Sequence, residues 1–102
     1  MGIHFKQEDG SLEIYVQGAL DHFAHSPFMG IMEEISEETP CHVFLEEVSH
    51  IDSSGLGLLL LLHDRTGRVN GRVELHEPNE QVYQTLLNCN FQQIFKIHPK
   101  AS

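Results

Sequence analysis

The sequence predicts an α/β domain in which a mixed β-sheet of four to five strands packs against about three main helices. Three observations carry that reading. Strand-like and helix-like segments alternate in the order β-β-α-β-α-β-α-β, which calls for parallel strands joined by right-handed crossovers. The first two strands are separated only by the turn signal Asp9-Gly10, so they form an antiparallel hairpin at one edge. The 102 residues, 40% apolar and 21% charged, suffice for one core and not for two, and residues 1–102 are expected to form one domain.

Each element follows from local pattern. Residues 3 to 8 and 12 to 17 are the hairpin strands; in the second, Leu12, Ile14 and Val16 alternate with Glu13, Tyr15 and Gln17. A helix from about 27 to 38 is expected next, with Ser26 as its cap and Pro27 in its first position, where a missing N–H costs nothing. Phe28, Ile31, Met32 and Ile35 recur at helical spacing, Glu33, Glu34, Glu37 and Glu38 lie largely outside that stripe as a solvated face, and Pro40 stops the helix. Cys41 to Val48 reads as an interior strand. Ser49-His50-Ile51 leads into Asp52-Ser53-Ser54-Gly55-Leu56-Gly57 and a leucine-rich helix ending near Thr66-Gly67. Residues 72 to 76 form a further strand. Pro78-Asn79 opens a last helix with Val82, Tyr83, Leu86 and Leu87 on one face, and 93 to 97 add an edge strand.

Charge narrows the function. Fifteen acidic residues against 6 basic ones give a formal charge of −9 with the 8 histidines neutral. Such a chain lacks the clustered Lys and Arg that bind nucleic acid by counterion release, and it is repelled by anionic lipid. Its longest apolar run, Leu56 to Leu62 with Gly57 inside it, falls far short of the roughly 20 residues that span a bilayer, so direct membrane insertion is not expected. No charged segment followed by an apolar stretch opens the chain, and a cytoplasmic location is expected. Cys41 and Cys89 are far apart with no C-x-x-C, which fits reduced, structural thiols and no metal site.

The strongest local signal is the strand-to-helix turn at 51 to 57. Ser53 and Ser54 sit at the carboxyl end of a strand, where open α/β sheets place functional groups, and at the amino end of a helix. A hydroxyl there has two readings: a helix cap, or a group presented to a partner enzyme. Serine chemistry by itself favours the cap. A nucleophile elbow needs G-x-S-x-G, and Ile51 stands two before Ser53. A phosphate-cradling G-x-x-x-x-G-K-[ST] loop is also absent.

On a helical wheel of roughly 100° per residue, Leu56, Leu59, Leu62 and Thr66 share the inner side of the leucine helix, with Leu60 and His63 at or near it. Gly57, Asp64, Arg65 and Arg68 share the other side; Leu61 falls in this polar arc and Leu58 at its margin. Leu58 and Leu61 are therefore either buried or available to a partner. His63 reads as a hydrogen-bonded core histidine. His22 and His25, beside Asp21, read as loop histidines and not as metal ligands.

The stretch from His42 to Gly57, an apolar strand, a short turn and Asp52-Ser53-Ser54-Gly55-Leu56-Gly57, closely resembles the STAS domain of bacterial anti-sigma factor antagonists, whose signature is D-S-[ST]-G-L-G. The resemblance extends to Gly18-Ala19-Leu20-Asp21, similar to that family's G-x-[LI]-D, and more generically to Asn79 through Ile97. It implies a single STAS-type domain that is not an enzyme, needs no cofactor, and acts by binding an anti-sigma factor that is itself a serine kinase of the GHKL type. It further implies that phosphorylation of Ser53 turns binding off and that a PP2C-type phosphatase restores it. Asp21, Asp52, Ser54, Gly55, Leu56 and Gly57, with Leu58 and Leu61 beside them, are then the expected partner surface. A STAS-like accessory subunit of a lipid-transporting membrane ATPase is the alternative, which the complete D-S-S-G-L-G disfavours.

Overall fold

The structure is a computed structural model that describes residues 2–100. Its elements are β1 (Gly2–Glu8), β2 (Ser11–Leu20), α1 (His25–Met32), β3 (Cys41–Ile51), α2 (Ser53–Arg65), β4 (Val73–His76), α3 (Glu80–Asn88) and β5 (Lys96–His98), with 3-10 turns at His22–Ala24 and Phe91–Gln93. The order is the expected one. The strands form one five-stranded sheet in sequence order, with β1 antiparallel to β2 and all other pairs parallel.

Right-handed crossovers that all step the same way put their helices on one face of the sheet. Burial follows that rule. Leu12, Ile14 and Val16 of β2, Cys41, Val43 and Leu45 of β3, and Val73 and Leu75 of β4 are buried, and they meet Phe28 and Met32 of α1, Leu59 and Leu62 of α2, and Val82 and Leu86 of α3. The intervening residues, among them Tyr15, His42, Phe44, Glu74 and His76, point to the opposite, uncovered face.

Two irregularities aim the far end of the sheet. Tyr15 pairs with Phe44 but Gln17 with Glu47, and Gly18 pairs with Val48 but Ala19 with His50, so β3 carries an extra residue at each place. The first bulge reverses the alternation, which is how both Leu45 and Val48 reach the core. Gly18, at the second, has φ 88, a left-handed conformation that glycine adopts without strain. Beyond it Leu20 and Ile51 pair again, so β2 and β3 end side by side.

Several boundaries differ from expectation for local reasons. The first helix spans 25–32 and not 27–38. Its chain is already turned by the 3-10 segment that Asp21 caps, which places Ser26 and Pro27 inside the first helical turn, while Ala24 at the cap position makes no side-chain bond. Beyond Met32 the chain is diverted by a local turn, in which the Ser36 amide donates to Thr39 Oγ1 at 3.0 Å and the Glu38 amide to Ser36 Oγ at 3.2 Å. Ile35 still packs against the core from that turn. The last strand is 96–98, because Asn90 enters a left-handed conformation and Phe91–Gln93 coil into a 3-10 turn that buries Phe91. Asn79 does open the last helix, its side chain accepting from the Val82 amide at 2.8 Å.

Two side chains depart from their expected roles. His63 is half-buried and edge-on to Phe95 at 5.7 Å, but its Nδ1 is buried with no hydrogen-bond partner among the described residues, so it is not the satisfied core histidine expected. Cys41 is packed in the core, where burial pushes its thiol up to about 12, whereas Cys89, just past α3, is exposed.

Candidate functional site

Asp21 and Asp52 follow the paired ends of β2 and β3 and so emerge together at the carboxyl edge of the sheet. Each becomes a cap. Asp21 Oδ1 accepts from the Phe23 amide at 3.0 Å, and Asp52 Oδ1 accepts from the Gly55 amide at 3.0 Å. Of the two readings left open for Ser53, the cap is thereby excluded. Asp52 has the extended backbone an N-cap requires, φ −110 and ψ −174, while Ser53 is already the first helical residue. Ser53 and Ser54 are exposed, as is Gly57 at the next turn.

Gly55 lies beneath them. A Cβ at this position would stand 2.1 Å from the carbonyl oxygen of Leu20 and 2.8 Å from Ile51 Cγ1. The Asp52 amide donates to the same Leu20 oxygen at 3.4 Å. The first turn of α2 is therefore pressed onto the end of β2, a contact only glycine permits, and the buried Gly55 supports the surface without forming part of it. Gly57 differs, since a Cβ there would meet nothing within 4 Å.

The leucines of α2 divide according to their neighbours. The helix packs against β3, α1 and the His22–Ala24 turn; Leu59 and Leu62 are fully buried and Leu58 is only 4% exposed. Leu58 is thus buried, Leu56 and Leu61 are half-buried, and Leu60, placed at or near the apolar side on the wheel, is 44% exposed. A groove runs between the turn and α2, lined by His22, His25, Ser54, Gly57, Leu58 and Leu61. Beside it Phe23 stands 68% exposed, its ring 4.1 Å from that of His22. Phe23 is not among the residues that the sequence pattern singles out. Its signal was a large apolar residue in the polar run Asp21-His22-Phe23-Ala24-His25-Ser26, at a position with no periodic partner.

Chemically, the site is an uncommitted hydroxyl at the amino end of a helix, flanked by two carboxylates engaged in capping and by a shallow groove with an apolar floor. The first turn of α2 carries no acidic residue, and Arg65 stands in its last turn, where a cation suits the helix dipole. Among the described residues no helix is long and apolar enough to cross a membrane.

A five-stranded mixed sheet with helices on one face and a serine presented where its third strand enters a helix defines a class of small α/β domain. The chain belongs to the STAS domain family, whose sequence model matches residues 3–102. A STAS-domain containing protein of Pseudomonas aeruginosa (strain UCBPP-PA14) is 37% identical over 87 residues, covering 84% of this chain and 86% of that relative. The fold is similar to that of the anti-sigma factor antagonist SpoIIAA in its unphosphorylated form, with a TM-score of 0.73 and 20% identity over 98% of this chain and 90% of that one. An anti-sigma factor antagonist from Mycobacterium paratuberculosis aligns with a TM-score of 0.76 and 16% identity over 97% of this chain and 86% of that one. At such identities these likenesses establish the fold.

Proposed function

We propose that this protein is an anti-sigma factor antagonist in a partner-switching pathway controlled by phosphorylation of Ser53. Unphosphorylated, it binds an anti-sigma factor that is also a serine kinase of the GHKL type; phosphorylated, it lets go; a PP2C-type phosphatase resets it. The observation that carries this reading is the division of labour at the turn: Asp52 caps the helix, so the exposed Ser53 hydroxyl has no capping duty to fulfil. The binding surface comprises Asp21, Asp52, Ser54, Leu56, Gly57 and Leu61, with Phe23 and the His22 and His25 rings at its rim and with Gly55 and Leu58 holding it from below. Gly57, bare and exposed, lets a partner backbone come close. Names of the structurally similar proteins support the choice, two of them being anti-sigma factor antagonists and one described in an unphosphorylated form.

The energetics suit an on–off switch without refolding. A phosphate adds about −1.5 to −2 charge, and an exposed helix amino end offsets only about 0.3 to 1 kcal/mol of it. Across an interface, like unit charges about 4 Å apart repel by roughly 1 kcal/mol in water and about 4 kcal/mol at an effective dielectric of 20. Each 1.4 kcal/mol or so is tenfold in affinity, so one phosphate can remove most binding. Incubation with ATP and a GHKL-type serine kinase that binds the protein should add one phosphate to the intact mass of the wild type and none to Ser53→Ala. Phosphate on the alanine variant would reject the site.

A further inference from the structure

The uncovered face of the sheet carries two rows of side chains in register across all five strands. One row is His4, Tyr15, Phe44, His76 and His98; the next is Lys6, Glu13, His42, Glu74 and Lys96. In the first row the rings of Tyr15 and Phe44 stack at 4.6 Å, Phe44 and His76 at 4.7 Å, and His76 and His98 at 4.6 Å. Where the rows adjoin, His42 Nδ1 lies 2.9 Å from His76 Nε2. Glu74 pairs with His42 in the β3–β4 register, and its Oε1 is held by His98 Nε2 at 2.6 Å. One ligand atom from each of His42, Glu74 and His76 lies within 4.8 Å of the others, and all three residues are half-buried.

We propose that His42, Glu74 and His76 form a binding site for one divalent transition-metal ion of the Zn2+ class. Two imidazoles and a carboxylate suit zinc and its neighbours, not calcium or magnesium, which take oxygen ligands. For the two histidines the spacing is close to what is needed, and the carboxylate, within 4.8 Å of both, has to draw in further. Two nitrogens at about 2.0–2.1 Å from a tetrahedral zinc are roughly 3.3 Å apart, so the 2.9 Å pair has only to open by a few tenths of an ångström. The pair now shares a proton in a hydrogen bond; an ion on both nitrogens moves that proton to the far nitrogen of its ring, a tautomer change with no change in charge. Stacking between Phe44 and His98 holds the His76 ring, and the His98 contact orients the carboxylate, so the donors are largely preorganised. Three protein ligands leave a coordination position open toward solvent. A net charge of −9 favours cation approach. The site lies on the face opposite α2, so it is separate from Ser53 and does not depend on the switch.

The test uses the full chain without an affinity tag. Titration with Zn2+ by calorimetry, and with Co2+ by visible absorption, should show one ion per chain and the d–d bands of a nitrogen- and oxygen-ligated site. His42→Asn, His76→Asn and Glu74→Gln should each weaken uptake by more than about tenfold. A His22→Asn/His25→Asn double variant should bind as the wild type does. Because substitution on the open face can alter folding, the wild type supplies a second readout: Co2+ should broaden amide resonances around residues 42 and 76 and spare 53–61. Absence of saturable uptake, uptake that survives the ligand substitutions, or broadening centred on another histidine would overturn the proposal.

Discussion

Asp52 caps its own helix and stands on the proposed partner surface, and the two roles respond differently to substitution. As a cap it accepts the Gly55 amide. Asn is as good a cap as Asp, whereas Ala removes about 1 kcal/mol (range roughly 0.5–2). Asp52→Asn should therefore keep the urea midpoint while Asp52→Ala lowers it; if the carboxylate also meets the partner, both should weaken binding. Serine at 53 was ambiguous in sequence because Ser and Asp are both good caps and adjacent, and only the backbone angles decide which of them stands half outside the helix. His63 differs from expectation for a related reason: the wheel locates a ring on the inner side but not a partner for its Nδ1. Burial holds His63 below its ordinary value, against the raising effect of Asp64 and with the help of Arg68. The unfolded chain then takes the proton first as pH falls below about 6.5, so His63 costs nothing above that pH and destabilises the fold below it. Unfolding midpoints measured across pH 5 to 7.5 or so should show a shallower acid loss for His63→Leu than for the wild type; an unchanged slope would contradict the orphaned-nitrogen account.

Elements with strong punctuation were legible, and those set by competing local bonds were not. Asp9-Gly10 and Asn79 mark their turn and cap because the chemistry is local and unopposed; Asp9 and Gly10 both take positive φ, 51 and 81. The first helix ends earlier than the pattern predicts: glutamates at 33, 34, 37 and 38 are good helix formers, yet the Ser36–Thr39 bonds offer the backbone another conformation. On α2, periodicity places Leu59 and Leu62 correctly, leaves Leu58 open between burial and contact, and misplaces Leu60, since burial at the margin depends on where α1 and the 3-10 turn lie. The side-chain environments give opposite expectations for two substitutions. Leu59→Ala should cost about 2–5 kcal/mol of stability by opening a core cavity. Phe23→Ala, at 68% exposure, should change stability by no more than about 0.5 kcal/mol yet weaken partner binding. Chemical denaturation and a binding titration on the same samples separate the two; a large stability loss in Phe23→Ala would show that its ring serves the fold.

At the scale of the molecule the sheet has two faces and one edge that carries the candidate site. Order and direction of the strands were readable, because alternating elements with short connections leave few topologies. What lies together on the open face was not, since parallel register brings His42 beside Glu74 and His76 from the far half of the chain and no local pattern announces it. The site edge was half legible: the Asp52 to Gly57 motif marked it, while the groove against His22 and His25 arises only when the β2 and β3 ends align. Charge acquires a meaning in this arrangement. On a domain of −9, a phosphate at Ser53 would add repulsion on the proposed partner surface and leave the core untouched. The most direct measurement is therefore a binding titration of the partner kinase with wild type and Ser53→Asp, with thermal unfolding of both. The account predicts that Ser53→Asp keeps its unfolding temperature and loses binding by more than about tenfold; wild-type affinity in a folded Ser53→Asp variant would contradict it.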